Sequence, residues 1–164
     1  TRRLSKDQLA NLTIRLHATY RYNNPYEKER WKKINPALNL NSGSDNIEKL
    51  ISESRLVVHG YDSTGILESL SLNSPCLAFW NNNFDHLRES AIPYYQLLVD
   101  AGIIHLSPES AAHKVNEVWS DIQGWWSQSE VQDARTVFCE RYAKPSHNHV
   151  QDLKKILTAN DLEQ

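Results

Sequence analysis

Gly60-Tyr61-Asp62-Ser63-Thr64-Gly65 is the stretch of this sequence whose residue types could most readily do chemistry. It follows a short apolar run, Leu56-Val57-Val58-His59, and leads directly into a segment with helical spacing from Ser63 to Leu72. A turn that opens a helix presents unpaired backbone N–H groups and the positive end of the helix dipole, which together favour an anion. Ser63 and Thr64 add hydroxyl donors, and Gly65 lets a phosphate come close to the first turn. Arg15, at the end of an earlier strand, could bring a bidentate charge to the same phosphate. Glu68 lies one helical turn past Thr64, where a carboxylate could accept from the two hydroxyls of a ribose.

Each of these residues also has a plainer reading. Asp62 or Ser63 could simply cap the helix, Arg15 could serve a structural ion pair, and Glu68 could be a solvated helix residue. His17, His59 and His105 all stand at strand ends. No cysteine or carboxylate spacing accompanies them, so a bond to a phosphate or a sugar hydroxyl is expected rather than metal ligation. Tyr61 to Gly65 comes close to the G-x-S-x-G elbow of hydrolases, with Asp85 or Asp100 and His105 as formal partners. Tyr61 stands where that motif has its first glycine. Trp125-Trp126 could stack on a sugar, although packing between terminal helices is the simpler role. Tyr20, Tyr22 and Tyr26 could meet an acceptor or cover a sheet edge.

The elements that must position these residues alternate between short apolar runs and longer amphipathic ones. Asn11–His17, Ala37–Leu40, Leu56–His59, Cys76–Trp80 and Ile103–Leu106 read as strands. Between them, Asn24-Pro25 starts a helix and Asn35-Pro36 stops it. Asp45 and Glu48 form a capping box. Asn73-Ser74-Pro75 ends the helix that began at Ser63. A further helical stretch breaks at Pro93 and closes at Gly102. From Ser107-Pro108 onward the pattern is helical, with a second capping box at Ser129 and Gln132 and a last helix from about Asn148 to Leu157.

This order predicts an α/β fold: a doubly wound, mainly parallel sheet of five or six strands, Rossmann-like, with extra C-terminal helices. Residues 1–143 form the nucleotide-binding domain and 144–164 a terminal helix and tail. Ligands of such sheets bind at the carboxyl ends of the strands, where the candidate residues lie.

The chain has 164 residues, which suits one domain. A net charge of -2 gives no bulk attraction to nucleic acid or an anionic membrane. Cys76 and Cys139 are the only cysteines, and both read as reduced core thiols of a cytosolic protein. No run is apolar for long enough to cross a membrane, and no signal peptide is visible. The sequence has no methionine, so it is expected to be either a processed product or a piece of a longer chain, the latter favoured because the candidate site would need a second domain.

Asp62-Ser63-Thr64-Gly65-Ile66-Leu67-Glu68, followed by Asn73-Ser74-Pro75 and an apolar strand, resembles the donor-binding segment of the GT-B superfamily. The D-S-G-G-I-Q-E-E segment of UDP-N-acetylglucosamine 2-epimerases is similar. There a Ser-Gly-Gly turn holds the nucleotide diphosphate and an acidic residue holds the ribose. The resemblance implies phosphate contacts by Ser63, Thr64 and Gly65. That family has two consecutive glutamates where this chain has Glu68 and Ser69.

A wider set of motifs resembles bacterial surface-carbohydrate biosynthesis transferases. In order, these are Arg15-Leu16-His17, Glu29-Arg30-Trp31, Ser54-Arg55-Leu56, Tyr61-Asp62-Ser63-Thr64, Leu67-Glu68, Phe79-Trp80 and Trp125-Trp126. Those are large cytosolic proteins whose C-terminal part resembles this chain.

The resemblance implies a donor-nucleotide domain of a glycosyltransferase in cell-surface polysaccharide assembly, in the cytoplasm or at the inner face of the membrane. Its substrate is a nucleotide-activated sugar, with no cofactor and no metal. The nucleotide-binding residues are then Arg15, His17, His59, Tyr61, Asp62, Ser63, Thr64, Gly65 and Glu68. The acceptor site and any catalytic base come largely from the N-terminal domain of the same chain. A sugar-nucleotide epimerase or hydrolase of the same superfamily, or a non-catalytic Rossmann-like module, are the alternatives.

Overall fold

Parallel strands favour apolar cover on both faces, and Cys76, Leu77 and Ala78 have it in the central strand of the main sheet, while Val58 in the strand beside it is 44% exposed. Val57–His59 (β3), Cys76–Phe79 (β4) and Ile104–His105 (β5) form a parallel sheet in the order β3-β4-β5. Val57 is paired with Cys76, His59 with Ala78, and Phe79 with His105. The structure is a computed structural model that describes residues 3–17, 19, 26–81, 83–144 and 148–160.

The remaining strands, Thr13–Arg15 (β1) and Asn39–Asn41 (β2), pair in parallel with each other in a separate two-stranded sheet. The expected single sheet of five or six strands is therefore corrected to two small ones. The cause lies in composition. Thr-Ile-Arg and Asn-Leu-Asn each offer one apolar side chain between two polar ones, so neither can be buried on both faces. Leu16, Leu38 and Ile51 are buried near these strands in sequence but stand outside the main core cluster.

The helices are Lys6–Ala10 (α1), Glu27–Ile34 (α2), Ile47–Glu53 (α3), Thr64–Ser71 (α4), Ile92–Asp100 (α5), Pro108–Val118 (α6), Ile122–Trp126 (α7), Ser129–Tyr142 (α8) and His149–Asn160 (α9). Several ends differ from expectation. The cap of α3 is Asn46, which accepts from the Lys49 amide, while Asp45 accepts instead from Asn41. Pro93 does not break a helix; it sits in the first turn of α5, where its missing N–H costs nothing. Helix α8 has Gln128 at its N-cap with no side-chain bond. Ser129 turns to Glu130, and Gln132 donates to the Trp126 carbonyl. Asn35 closes α2 as expected, whereas the expected start at Asn24-Pro25 lies outside the described residues. Among the described residues no helix is long and apolar enough to cross a membrane.

The core joins the β3-β4-β5 sheet to α4, α5 and the C-terminal helices. Ile66, Leu70, Leu77, Leu98, Ile104, Trp125, Trp126 and Phe138 are all buried in one cluster. Trp125-Trp126 is thus core, not a sugar platform. The Trp126 indole donates to the carbonyl and side-chain oxygens of Asn73, which holds a left-handed turn (φ 52°) just past α4. Arg135 on α8 donates to the Leu70 carbonyl at 3.0 Å. Two groups from the C-terminal helices therefore bind the C-terminal end of α4, supplying the orphan carbonyls of that end. Cys76 and Cys139 are buried free thiols, and burial pushes the pKa of both upward.

Phe138 is fully buried and stacks edge-on against Tyr95 at 5.2 Å between ring centroids. Phe138→Ala is expected to cost about 3–5 kcal/mol, while Val137→Ala, at a 43% exposed neighbour, should stay within about 0.5 kcal/mol. Equilibrium urea unfolding of the two variants checks the difference.

Candidate functional site

Helix α4 starts at the carboxyl end of β3, and its N-terminus is left open by its own cap residue. Ser63 is the N-cap, in extended conformation, and makes no side-chain bond to the helix. Only its carbonyl is engaged, accepting from the Ile66 amide at 3.0 Å. The Thr64 and Gly65 amides and the Ser63 and Thr64 hydroxyls have no acceptor or donor partner among the described residues. The plain capping role weighed for Asp62 and Ser63 therefore does not describe either side chain.

Asp62 is instead the centre of a second arrangement. Its carboxylate accepts from His86 Nε2 at 3.0 Å and from the Tyr95 hydroxyl at 3.2 and 3.3 Å. Burial, then the neighbouring Asp62 charge and the hydrogen bond to it, push the Tyr95 pKa well up, so the phenol keeps its proton and donates. The Trp80 ring meets His86 edge-on at 5.7 Å and Tyr95 at 6.3 Å. Tyr95 reaches the core through Phe138. The cluster thus ties the β3 turn to α5 and to the loop after β4.

His59 fills the other side of the turn. Its Nε2 lies 2.9 Å from the Ser69 hydroxyl, and Ser69 is fully buried on α4. A Cβ at Gly65 would stand 3.0 Å from His59 Cε1 and 3.2 Å from Nδ1. Gly65 is therefore required by the packing of an imidazole ring, apart from any ligand. Burial lowers the His59 pKa from the ordinary 6.5 to about 4, so the ring is neutral at pH 7.

The remaining candidates lie apart from this turn. Arg15 donates to the Gly43 carbonyl at 3.0 Å, and His17 is paired with Thr19, both at the separate β1–β2 sheet. His105 bonds the Gly102 carbonyl; burial lowers its pKa against the opposing effect of that bond. Asp85 pairs with Asn83, and Asp100 accepts from Gln96. No hydrogen bond among the described residues joins Ser63 to a histidine, so the formal Ser63, aspartate and His105 triad is not assembled. Glu68 is half-buried with no polar partner among the described residues. Tyr61 and Tyr26 are exposed; Tyr20 and Tyr22 lie outside the described residues. Among the described residues no group of three or more His, Cys, Asp or Glu side chains converges as metal ligands would. A shallow depression of about 550 Å³ lies at the opposite end of α4, beside Leu72 and Ser74.

His86 is the residue that sequence reasoning missed. It follows β4, the strand next to β3, and the region just past a strand's carboxyl end is where such residues are sought.

Fold and site together define an α/β protein with an open helix N-terminus at a strand's carboxyl end, flanked by a His–Asp–Tyr cluster. A family model described as LIC12162 family transferase matches residues 1–157. The chain belongs to that transferase family. No curated protein and no solved structure matches it significantly.

Two measurements test the packing of the turn. Gly65→Ala should destabilise by about 1–3 kcal/mol through overpacking, and the same change made in a His59→Ala background should be neutral or favourable. A double-mutant cycle by urea unfolding reads the coupling. Neutral His59 contributes stability that is present above pH 6.5 and lost as pH falls toward its folded pKa of about 4. The unfolded chain takes up the proton first, so this component amounts to about 3 kcal/mol at most. The fall in stability between pH 6.5 and 4 should be shallower by that amount in His59→Gln.

Proposed function

We propose that this chain is the donor-nucleotide-binding domain of a glycosyltransferase of GT-B type acting in cell-surface polysaccharide assembly. The observation that carries the reading is the open N-terminus of α4. Ser63 stands at the N-cap position without capping, and the Thr64 and Gly65 amides remain unpaired. Backbone donors aligned with a helix dipole suit a diphosphate. They can stabilise the charge that develops on a leaving nucleotide by preorganised hydrogen bonds.

Membership of a transferase family agrees with such chemistry. In this reading residues 1–143 hold the nucleotide, Glu68 meets the ribose, and 144–164 form a terminal helix and tail. The sugar and its acceptor meet in a cleft completed by an N-terminal domain of the same full-length chain, on the cytoplasmic side of the membrane. Arg15 and His17 stand at the separate β1–β2 sheet, so the reading rests on the α4 N-terminus rather than on them.

Thermal unfolding of the full-length chain with UDP, CDP, GDP, TDP, CMP and inorganic phosphate tests the reading. A ligand that binds only the folded state at a hundred times its Kd should add about 2.7 kcal/mol of stability. One nucleotide should raise Tm, and Ser63→Ala should reduce the shift. Arg15→Ala reduces it as well only if Arg15 reaches the phosphate. The absence of any shift at millimolar ligand would sink the proposal.

A further inference from the structure

The Asp62–His86–Tyr95 cluster is more ordered than a loop tie needs to be. His86 presents Nε2 to Asp62, and a carboxylate can only accept, so Nε2 carries the proton. In the neutral ring Nδ1 is then the atom with the free lone pair. Nδ1 has no partner among the described residues, and the side chain is 45% exposed. The Trp80 ring limits its rotation. Asp62 is itself held by the Tyr95 hydroxyl from α5, and it immediately precedes Ser63. Asp62 and, behind it, Tyr95 are the titratable groups that these contacts bring against the ring. A base of fixed tautomer is thus backed by a carboxylate, Asp62, that is itself one residue from the N-cap of the open helix.

We propose that His86 is the general base of the transfer reaction, with Asp62 and Tyr95 as its positioning residues. The inference rests on the donor reading above and moves the base from the N-terminal domain into this chain. In the step, the acceptor hydroxyl oxygen bonds to the anomeric carbon of the donor sugar while its proton passes to His86 Nδ1. The bond from that carbon to the diphosphate oxygen breaks, and its electron pair leaves with the nucleotide. The Thr64 and Gly65 amides meet that charge. Asp62 stabilises the imidazolium, which returns its proton to solvent.

The test uses the full-length chain and the nucleotide sugar whose nucleotide raises Tm most, following nucleotide release with water or added glycan as acceptor. His86→Gln keeps a donor toward Asp62 but lacks the basic nitrogen. It should bind the donor with unchanged Tm shift and KM, and lose about 10²–10⁴-fold in kcat. Asp62→Asn should lower kcat in the same direction, and it is read in place of His86→Gln if that variant unfolds early.

Wild-type kcat in His86→Gln would overturn the inference. So would a loss of rate matched by a loss of donor-induced Tm shift, which would make His86 a structural tie. Donor binding by the wild type without nucleotide release also overturns it, while leaving the donor reading intact. No donor-induced shift in the wild type removes the donor reading itself.

Discussion

One ring contact governs how the candidate site is built. The imidazole of His59 lies between β3 and the first turn of α4, against Gly65 and within hydrogen-bond reach of buried Ser69. A Cβ at position 65 would press on that ring at 3.0 Å, and no charged ring suits the burial. The close approach of helix to strand is therefore least strained with no side chain at position 65 and a neutral histidine. At its far end α4 is held by Arg135 on the Leu70 carbonyl and by Trp126 on Asn73. With both ends held, the direction of the helix axis, and hence of its N-terminal amides, follows from packing.

The same turn separates two electrostatic tasks between neighbouring residues. Asp62 places a carboxylate beside a site suited to anions, an arrangement that would be repulsive if the carboxylate were unengaged. Its oxygens accept from His86 and Tyr95, so the donors around it satisfy it locally. Ser63 and Thr64 keep their hydroxyls and amides available. Adjacent residues thus face different partners because an extended backbone at Ser63 turns the chain between strand and helix.

Much of this was legible in the sequence where local chemistry decides structure. The apolar runs around Val57, Leu77 and Ile104 became strands, and Ser63 to Leu72 became the helix with its cap and terminus in place. The single sheet was not legible, because counting strands does not say whether a segment such as Thr13–Arg15 has two apolar faces. Capping boxes misled at Asp45 and Ser129, since a neighbouring Asn46 and a Trp126 carbonyl competed for the same groups. His86 was hidden for a different reason. Its partner is 24 residues away, and a lone histidine in a polar loop carries no periodic signal. Gly65 was noticed as room for a phosphate; the ring that also requires it is visible only in three dimensions.

The two thiols give the layered core a built-in clock. Cys76 lies on β4 and Cys139 on α8, two of the elements that α4 packs against, and burial holds both in the unreactive protonated form. An alkylating reagent can reach Cys76 only when sheet and helix part, whereas Cys139 borders a surface depression beside Ser71 and Lys144. The rate at which Cys76 reacts under native conditions therefore counts how often this sandwich breathes. A chain held together mainly between β4 and α8 would lose both protections in a single event, whereas independent fraying of α8 would expose Cys139 alone.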